Sequence, residues 1–176
     1  MPDRLDALRR AIRDVPDYPR PGILFKDITP LLASPESFRA ALDLMQEQAA
    51  ALRPDRIVAI ESRGFILAAP LADRLGVGLV PVRKKGKLPW RHVACTYDLE
   101  YGTDTIEMQE DAIQPGQRVV VLDDLLATGG TMQAAVELVR TRGGTVAAAA
   151  CIIELAFLQG REKLDVPLAA MISYDT

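Results

Sequence analysis

Apolar residues recur at helical spacing at Leu5, Leu8, Ile12 and Val15, which predicts an amphipathic helix over residues 3–15. Pro16, Pro19, Pro21 and Gly22 break that period and predict an irregular stretch through Pro30. Ser34 ahead of Pro35 has the form of an N-cap. It opens a second helix with Glu36 and Ser37 in its first turn, reaching about Leu52. Strands and helices then alternate. Arg56–Ile60 predicts a short buried strand, Gly64–Leu75 a helix and Val77–Val82 another strand. Residues 83–96 are basic and broken by proline, so a loop is expected there. Residues 96–101 and 105–109 alternate like the arms of a hairpin, joined through Gly102-Thr103-Asp104. A strand over 118–122, a helix over 130–142, a strand over 145–153 and a last strand near 168–173 complete the pattern. This order predicts an α/β fold: a mostly parallel central sheet flanked by helices. Neither a repeat nor a low-complexity linker divides the chain, so a single domain over 1–176 is expected.

The strand ending at Leu122 carries the most information. Val119, Val120, Val121 and Leu122 are branched and apolar, as in a strand buried on both faces of a parallel sheet. Asp123 and Asp124 stand where it runs out, followed by Ala127-Thr128-Gly129-Gly130-Thr131 and a helical pattern. Loop amides at a helix start point at an anion, and Thr128 and Thr131 add hydroxyl donors. The two carboxylates can accept hydrogen bonds from vicinal ribose hydroxyls. Either dipeptide alone has a plainer explanation, since Asp-Asp caps helices and Gly-Gly makes turns. In this order and context they predict a site for a ribose phosphate. The segment is no Walker loop, because no lysine follows the glycines. Gly76-Val77-Gly78 lacks the third glycine of a dinucleotide fingerprint.

Composition narrows the classes. A chain of 176 residues, 49% hydrophobic and 26% charged, has the profile of a globular protein with one substantial core. A net charge of −3 argues against wholesale nucleic-acid binding. Two cysteines outside any C-x-x-C pair favour a reducing, cytoplasmic compartment over a disulfide framework. With His92 as the one histidine, a His/Cys metal cage is not expected, nor is a Ser/His/Asp or Cys/His covalent mechanism. No signal peptide and no bilayer-spanning run is read, so no membrane partner is expected.

In an open α/β sheet the ligand crevice lies beyond the carboxyl ends of the strands. That rule gathers Glu61-Ser62-Arg63-Gly64, the basic stretch after Val82, and Asp123-Asp124 at one sheet edge. Arg83, Lys84, Lys85 and Lys87 place four cations in five positions, a run that on its own usually marks a solvated face. Beside a phosphate loop, these cations and Arg63 exceed the need of one monophosphate. They imply a second anion, most simply a pyrophosphate. A ribose 5-phosphate that also carries pyrophosphate is phosphoribosyl pyrophosphate.

Here the sequence resembles a known family. VVVLDDLLATGGT is similar to the phosphoribosyl pyrophosphate motif of the purine and pyrimidine phosphoribosyltransferases. The likeness is closest to the adenine-specific branch and spans nearly the whole chain. It runs through YPRPGILFKDITPLL (18–32), ESRGFI (61–66), VRKKGKLP (82–89), YDLEYGTD (97–104), PGQRVVVLDDLLATGGTM (115–132) and IIELAFLQGREKL (152–164). The resemblance implies a type I phosphoribosyltransferase-like fold in which residues 1–33 give the N-terminal helix and a small base-binding hood. It implies transfer of phosphoribose from phosphoribosyl pyrophosphate to adenine, giving AMP and pyrophosphate in purine salvage. Mg²⁺ would be held by substrate oxygens and water rather than by side chains. It also implies a homodimer in which the counterpart of Arg83 reaches in from a neighbouring subunit.

Residue roles come from the same resemblance. Ala127, Thr128, Gly129, Gly130 and Thr131 would hold the 5′-phosphate, and Asp123 and Asp124 the ribose 2′- and 3′-hydroxyls. Arg63, Arg83, Lys84 and Lys87 would bind pyrophosphate. Leu24, Phe25 and Lys26 would form the base pocket, with Phe25 stacking on the purine and Leu155 as the opposite wall. Relatives often have arginine at the position of Lys26, an exchange that main-chain recognition tolerates. Core packing explains Leu24, Phe25 and Leu155 equally well. Glu100 is the candidate acid/base group near purine N7 or N9, with Glu107 as a second carboxylate. Tyr101 and Gly102 suit a lid that excludes water. Two rivals remain. A 6-oxopurine enzyme should differ at Leu24–Lys26, and a DNA-binding sensor should add a helix-turn-helix, for which residues 1–17 are too short.

Overall fold

The computed structural model describes residues 4–98 and 102–176. The chain forms two compact units, residues 1–45 and 46–176.

In the first unit, α1 (Arg4–Arg10) is followed by β1 (Arg13–Pro16), which pairs antiparallel with β2 (Leu24–Asp27). The helix expected over 3–15 therefore stops early. Its last residues are claimed by cross-strand pairs that periodicity does not register: Arg13 opposite Asp27 and Asp14 opposite Lys26. The stretch expected to be irregular through Pro30 likewise holds β2 and the start of α2 (Thr29–Ala33). Ser34 caps the next helix, α3 (Pro35–Leu52), as expected: the Ser37 amide donates to its hydroxyl at 3.2 Å.

The second unit is built on one mixed sheet in the order β10-β9-β7-β3-β4-β6-β5. Its strands are β3 (Arg56–Ile60), β4 (Gly78–Lys84), β5 (His92–Asp98), β6 (Thr103–Gln109), β7 (Arg118–Leu122), β9 (Thr145–Leu155) and β10 (Leu168–Tyr174). A two-residue strand, β8 (Leu125–Leu126), pairs with the end of β9. The run from β10 to β4 is parallel, and β6 and β5 add antiparallel at one end. Helix α4 (Arg63–Leu75) connects β3 to β4, and α5 (Gly130–Thr141) connects β7 to β9. The loop expected over 83–96 is shorter than read. Arg83 and Lys84 are still in β4, and β5 begins at His92, because both strands find partners in β6.

Val119, Val120, Val121 and Leu122 of β7 are fully buried, as a central parallel strand with both faces covered requires. Val119 and Val121 belong to a core that includes Val58, Val80, Leu126, Met132, Leu138 and Cys151, while Val120 and Leu122, alternate in the strand, are buried on its other face. Register aligns Ala59 with Leu122 and Ile60 with Val82, so β3, β4 and β7 reach one edge together. These three strand ends and the segments leaving them carry Arg63, Arg83, Lys84, Lys87, Asp123, Asp124 and the Ala127–Thr131 loop.

Candidate active site

Two adjoining cavities open at the edge, and Asp123 lines both. One, of about 100 Å³, is walled by Asp123 and Leu125 through Met132. The other, of about 200 Å³, is walled by Glu61, Ser62, Arg63, Asp123 and Asp124. The first has the form of an anion cradle. Gly129 sits at φ +81°, in the left-handed region, and α5 starts at Gly130, so the loop leads directly into a helix N-terminus, whose unpaired amides favour an anion. All five predicted phosphate-loop residues, Ala127, Thr128, Gly129, Gly130 and Thr131, line this cavity. The Thr131 hydroxyl donates to the Tyr97 hydroxyl at 3.0 Å, which positions that side chain from β5.

The paired acids differ. Asp124 is buried, and its carboxylate accepts a 2.5 Å hydrogen bond from Arg63 Nε. Its carbonyl receives the amides of Ile152 and Ile153 on β9. Asp123 is half-buried and takes the Asp124 amide at 2.8 Å. Burial, reinforced by the Asp124 charge, pushes the Asp123 carboxyl well above the usual carboxylate range. An acid whose pKa is shifted by burial and a charged neighbour, and which lines a cleft, is a candidate functional residue.

Around Glu61 the cations converge. Lys87 Nζ lies 2.5 Å from one carboxylate oxygen. Arg83 Nε at 3.3 Å and the Lys84 amide at 3.0 Å reach the other. Burial alone would raise the Glu61 pKa, but the bonds from Lys87, Lys84 and Arg83 outweigh it and hold it at about 2. The Lys84 ammonium meets Asp104 at 3.3 Å, and Asp104 also accepts from Tyr97 at 3.4 Å. Thus Arg63, Arg83, Lys84 and Lys87 flank one strand edge, each bound to a carboxylate. Glu61, Tyr97 and Asp104 were missed as organisers of these groups; the strand-end rule had placed Glu61 at this edge, and for Tyr97 and Asp104 only their places in the matching blocks hinted at them. The second carboxylate candidate, Glu107, is buried on β6 and accepts the Gly86 amide at 2.9 Å. Glu100 and Tyr101 lie outside the described residues.

Leu24, Phe25 and Lys26 belong to β2 in the first unit. Leu24 is exposed; Phe25 is half-buried and meets Tyr18 edge-on with ring centroids 5.1 Å apart. Val15, Tyr18, Phe25, Asp27 and Thr29 line a cavity of about 270 Å³ with a largely apolar wall. Lys26 is buried, and its ammonium donates to Asp14 at 2.6 Å. Leu155, in the second unit, is half-buried at the end of β9. Among the described residues, no three His, Cys, Asp or Glu side chains converge as a metal cage.

The phosphoribosyl transferase domain family matches residues 27–173. The chain belongs to the phosphoribosyltransferase family. Its mixed sheet with flanking helices is the type I phosphoribosyltransferase fold. The curated adenine phosphoribosyltransferase of Rhodospirillum centenum is 60% identical over 169 residues, covering 96% of this chain and 99% of that protein. That of Rhodospirillum rubrum is 57% identical with the same coverage. The crystal structure of adenine phosphoribosyltransferase from Rhodothermus marinus superposes with a TM-score of 0.92 at 52% identity, covering 97% of this chain and 98% of that one. The Saccharomyces cerevisiae enzyme, solved with an imino-altritol bisphosphate and adenine, gives a TM-score of 0.92 at 40% identity, covering 96% and 98%.

Proposed function

We propose that this phosphoribosyltransferase transfers the 5-phosphoribosyl group of phosphoribosyl pyrophosphate to adenine, forming AMP and releasing pyrophosphate. The observation that carries the reading is the shared wall at Asp123, which joins a cavity at the N-terminus of α5 to a cavity bordered by Arg63. A pentose with phosphate at one end and pyrophosphate at the other fits that pair. The choice of adenine rests on the curated relatives and on the adenine found with the yeast enzyme.

In this reading the amides of Ala127–Thr131 hold the 5′-phosphate, and Asp123 and Asp124 accept hydrogen bonds from the ribose hydroxyls. Arg63, Arg83, Lys84 and Lys87 neutralise pyrophosphate as the C1–O bond breaks. Adenine N9 bonds to C1 and gives up its proton, and the nearby carboxylates stabilise the positive charge that builds on the sugar. Glu100 is assigned the proton near N7 or N9. Phe25 stacks on the base and main-chain groups of Leu24 and Lys26 read its edge; Leu155 keeps the adenine-binding role that the resemblance gives it. The engagement of the Lys26 ammonium by Asp14 supports reading through the backbone.

Mg²⁺ would supply charge neutralisation on the leaving pyrophosphate. Asp124 is bridged to Arg63 and Glu61 to Lys87, so this donor set suits an ion held mainly by substrate oxygens and water. Residues 1–176 are taken as one catalytic domain, since the family match crosses both compact units. A cytoplasmic homodimer serving purine salvage completes the proposal. The free thiols of Cys95 and Cys151 suit a reducing compartment, and among the described residues no helix is long and apolar enough to cross a membrane.

The test is to supply protein, Mg²⁺ and phosphoribosyl pyrophosphate with adenine, hypoxanthine, guanine or xanthine in turn, following nucleotide and pyrophosphate. AMP from adenine alone is expected. Nucleotide from a 6-oxopurine would move the assignment to that branch, and donor binding without any product would make the chain a sensor.

A further inference from the structure

The segment after β9 folds back onto the phosphate loop through backbone rather than side chains. Residues Ala156–Leu158 and Gly160–Lys163 form two short 3-10 turns, joined at Gln159 with φ +53°. Gly160 is buried, and a Cβ there would strike the Ala127 carbonyl and the Gly129 amide. A Cβ on Gly129 would strike the Gly160 carbonyl in turn. Two glycines are therefore required for the approach, one on each side.

An ion pair holds the returning segment down. Glu154, buried on β9, receives Arg161 Nε at 2.8 Å on one oxygen and a terminal Arg161 nitrogen at 2.6 Å on the other. This two-pronged geometry fixes direction as well as distance. Arg161 also donates to the Leu168 carbonyl at the start of β10, at 3.3 Å. Glu154 is itself in register with Leu126 of β8, the residue just before Ala127. The loop is thus gripped by β9 on its approach and by Gly160 at its turn.

We infer that Gly160 and the Glu154–Arg161 pair form a buttress that sets the shape of the Ala127–Thr131 loop. Arg161 is thereby a positioning residue for the phosphoribosyl donor. This rests on the phosphate role proposed for that loop. Amides aimed at an anion in advance bind it without the cost of ordering the loop, and small misplacements of such donors weaken binding steeply.

The experiment compares Arg161→Met and Arg161→Lys with the parent enzyme. Arg161→Met should raise KM for phosphoribosyl pyrophosphate about ten-fold, leaving kcat and KM for adenine within about two-fold. Arg161→Lys keeps the charge but not the fork, and should restore part of the loss. An unchanged donor KM, or a shift confined to adenine KM, would overturn the buttress. If Arg161→Met fails to fold, Glu154→Gln decides by the same readouts. If the parent makes no AMP, the transferase reading fails separately. Ribose 5-phosphate binding by calorimetry then judges the buttress, weaker in the variants if it holds and equal if it does not.

Discussion

At Asp123, burial and the adjacent Asp124 charge disfavour the ionised carboxylate in the folded protein. A folded pKa above the unfolded one adds stability at low pH, and this is lost as pH rises through the folded value. Asp123→Asn removes that penalty and should raise Tm at pH 7 by about 1–4 °C. The same change removes a carboxyl acceptor for a ribose hydroxyl and should lower kcat/KM for the donor by about ten- to a hundred-fold. Calorimetric melting beside donor kinetics checks both halves, and a loss of both stability and activity would contradict this assignment. Glu61 has the opposite sign. Despite burial, its bonds to Lys87, the Lys84 amide and Arg83 hold it at about 2, against an ordinary 4.5. Its contribution is present above 4.5 and lost as pH falls toward about 2. Glu61→Gln should therefore melt lower at neutral pH, with the gap to the parent closing on acidification. A gap independent of pH would remove the charge from the explanation.

Among the elements, β7 ties the fold to the chemistry, since its fully buried apolar run ends at the paired acids. Leu122→Ala should destabilise by about 2–5 kcal/mol through the cavity it leaves, measured by urea unfolding. A cost below about 1 kcal/mol would mean that the strand end repacks freely. This strand was legible in the sequence because burial on both faces writes a continuous apolar run, and its loop because small residues must precede a helix start. The hairpin β1–β2 was not legible, because Arg13–Asp27 and Asp14–Lys26 are cross-strand bonds between residues 12 or 14 apart. Nor was the Glu154–Arg161 pair, whose meaning depends on where a 3-10 turn returns the chain. Cations were easy to see as a run; that Glu61 gathers Arg83 and Lys87 required the register of β3 beside β4.

For the whole molecule, the proposal of a homodimer predicts a sedimenting mass twice the 19.2 kDa of the chain. Analytical ultracentrifugation at micromolar concentration checks it, and an active monomer would contradict the subunit arrangement while leaving the chemistry in place. The geometry of the strand edge carries the larger claim, that an anionic pentose spans the two cavities meeting at Asp123. A crystal structure of the protein with AMP tests that claim without intermediaries. Phosphate density is expected over the amides of Thr128–Thr131, with the ribose hydroxyls on Asp123 and Asp124. Phosphate seated anywhere else, with that loop empty, would refute the claim.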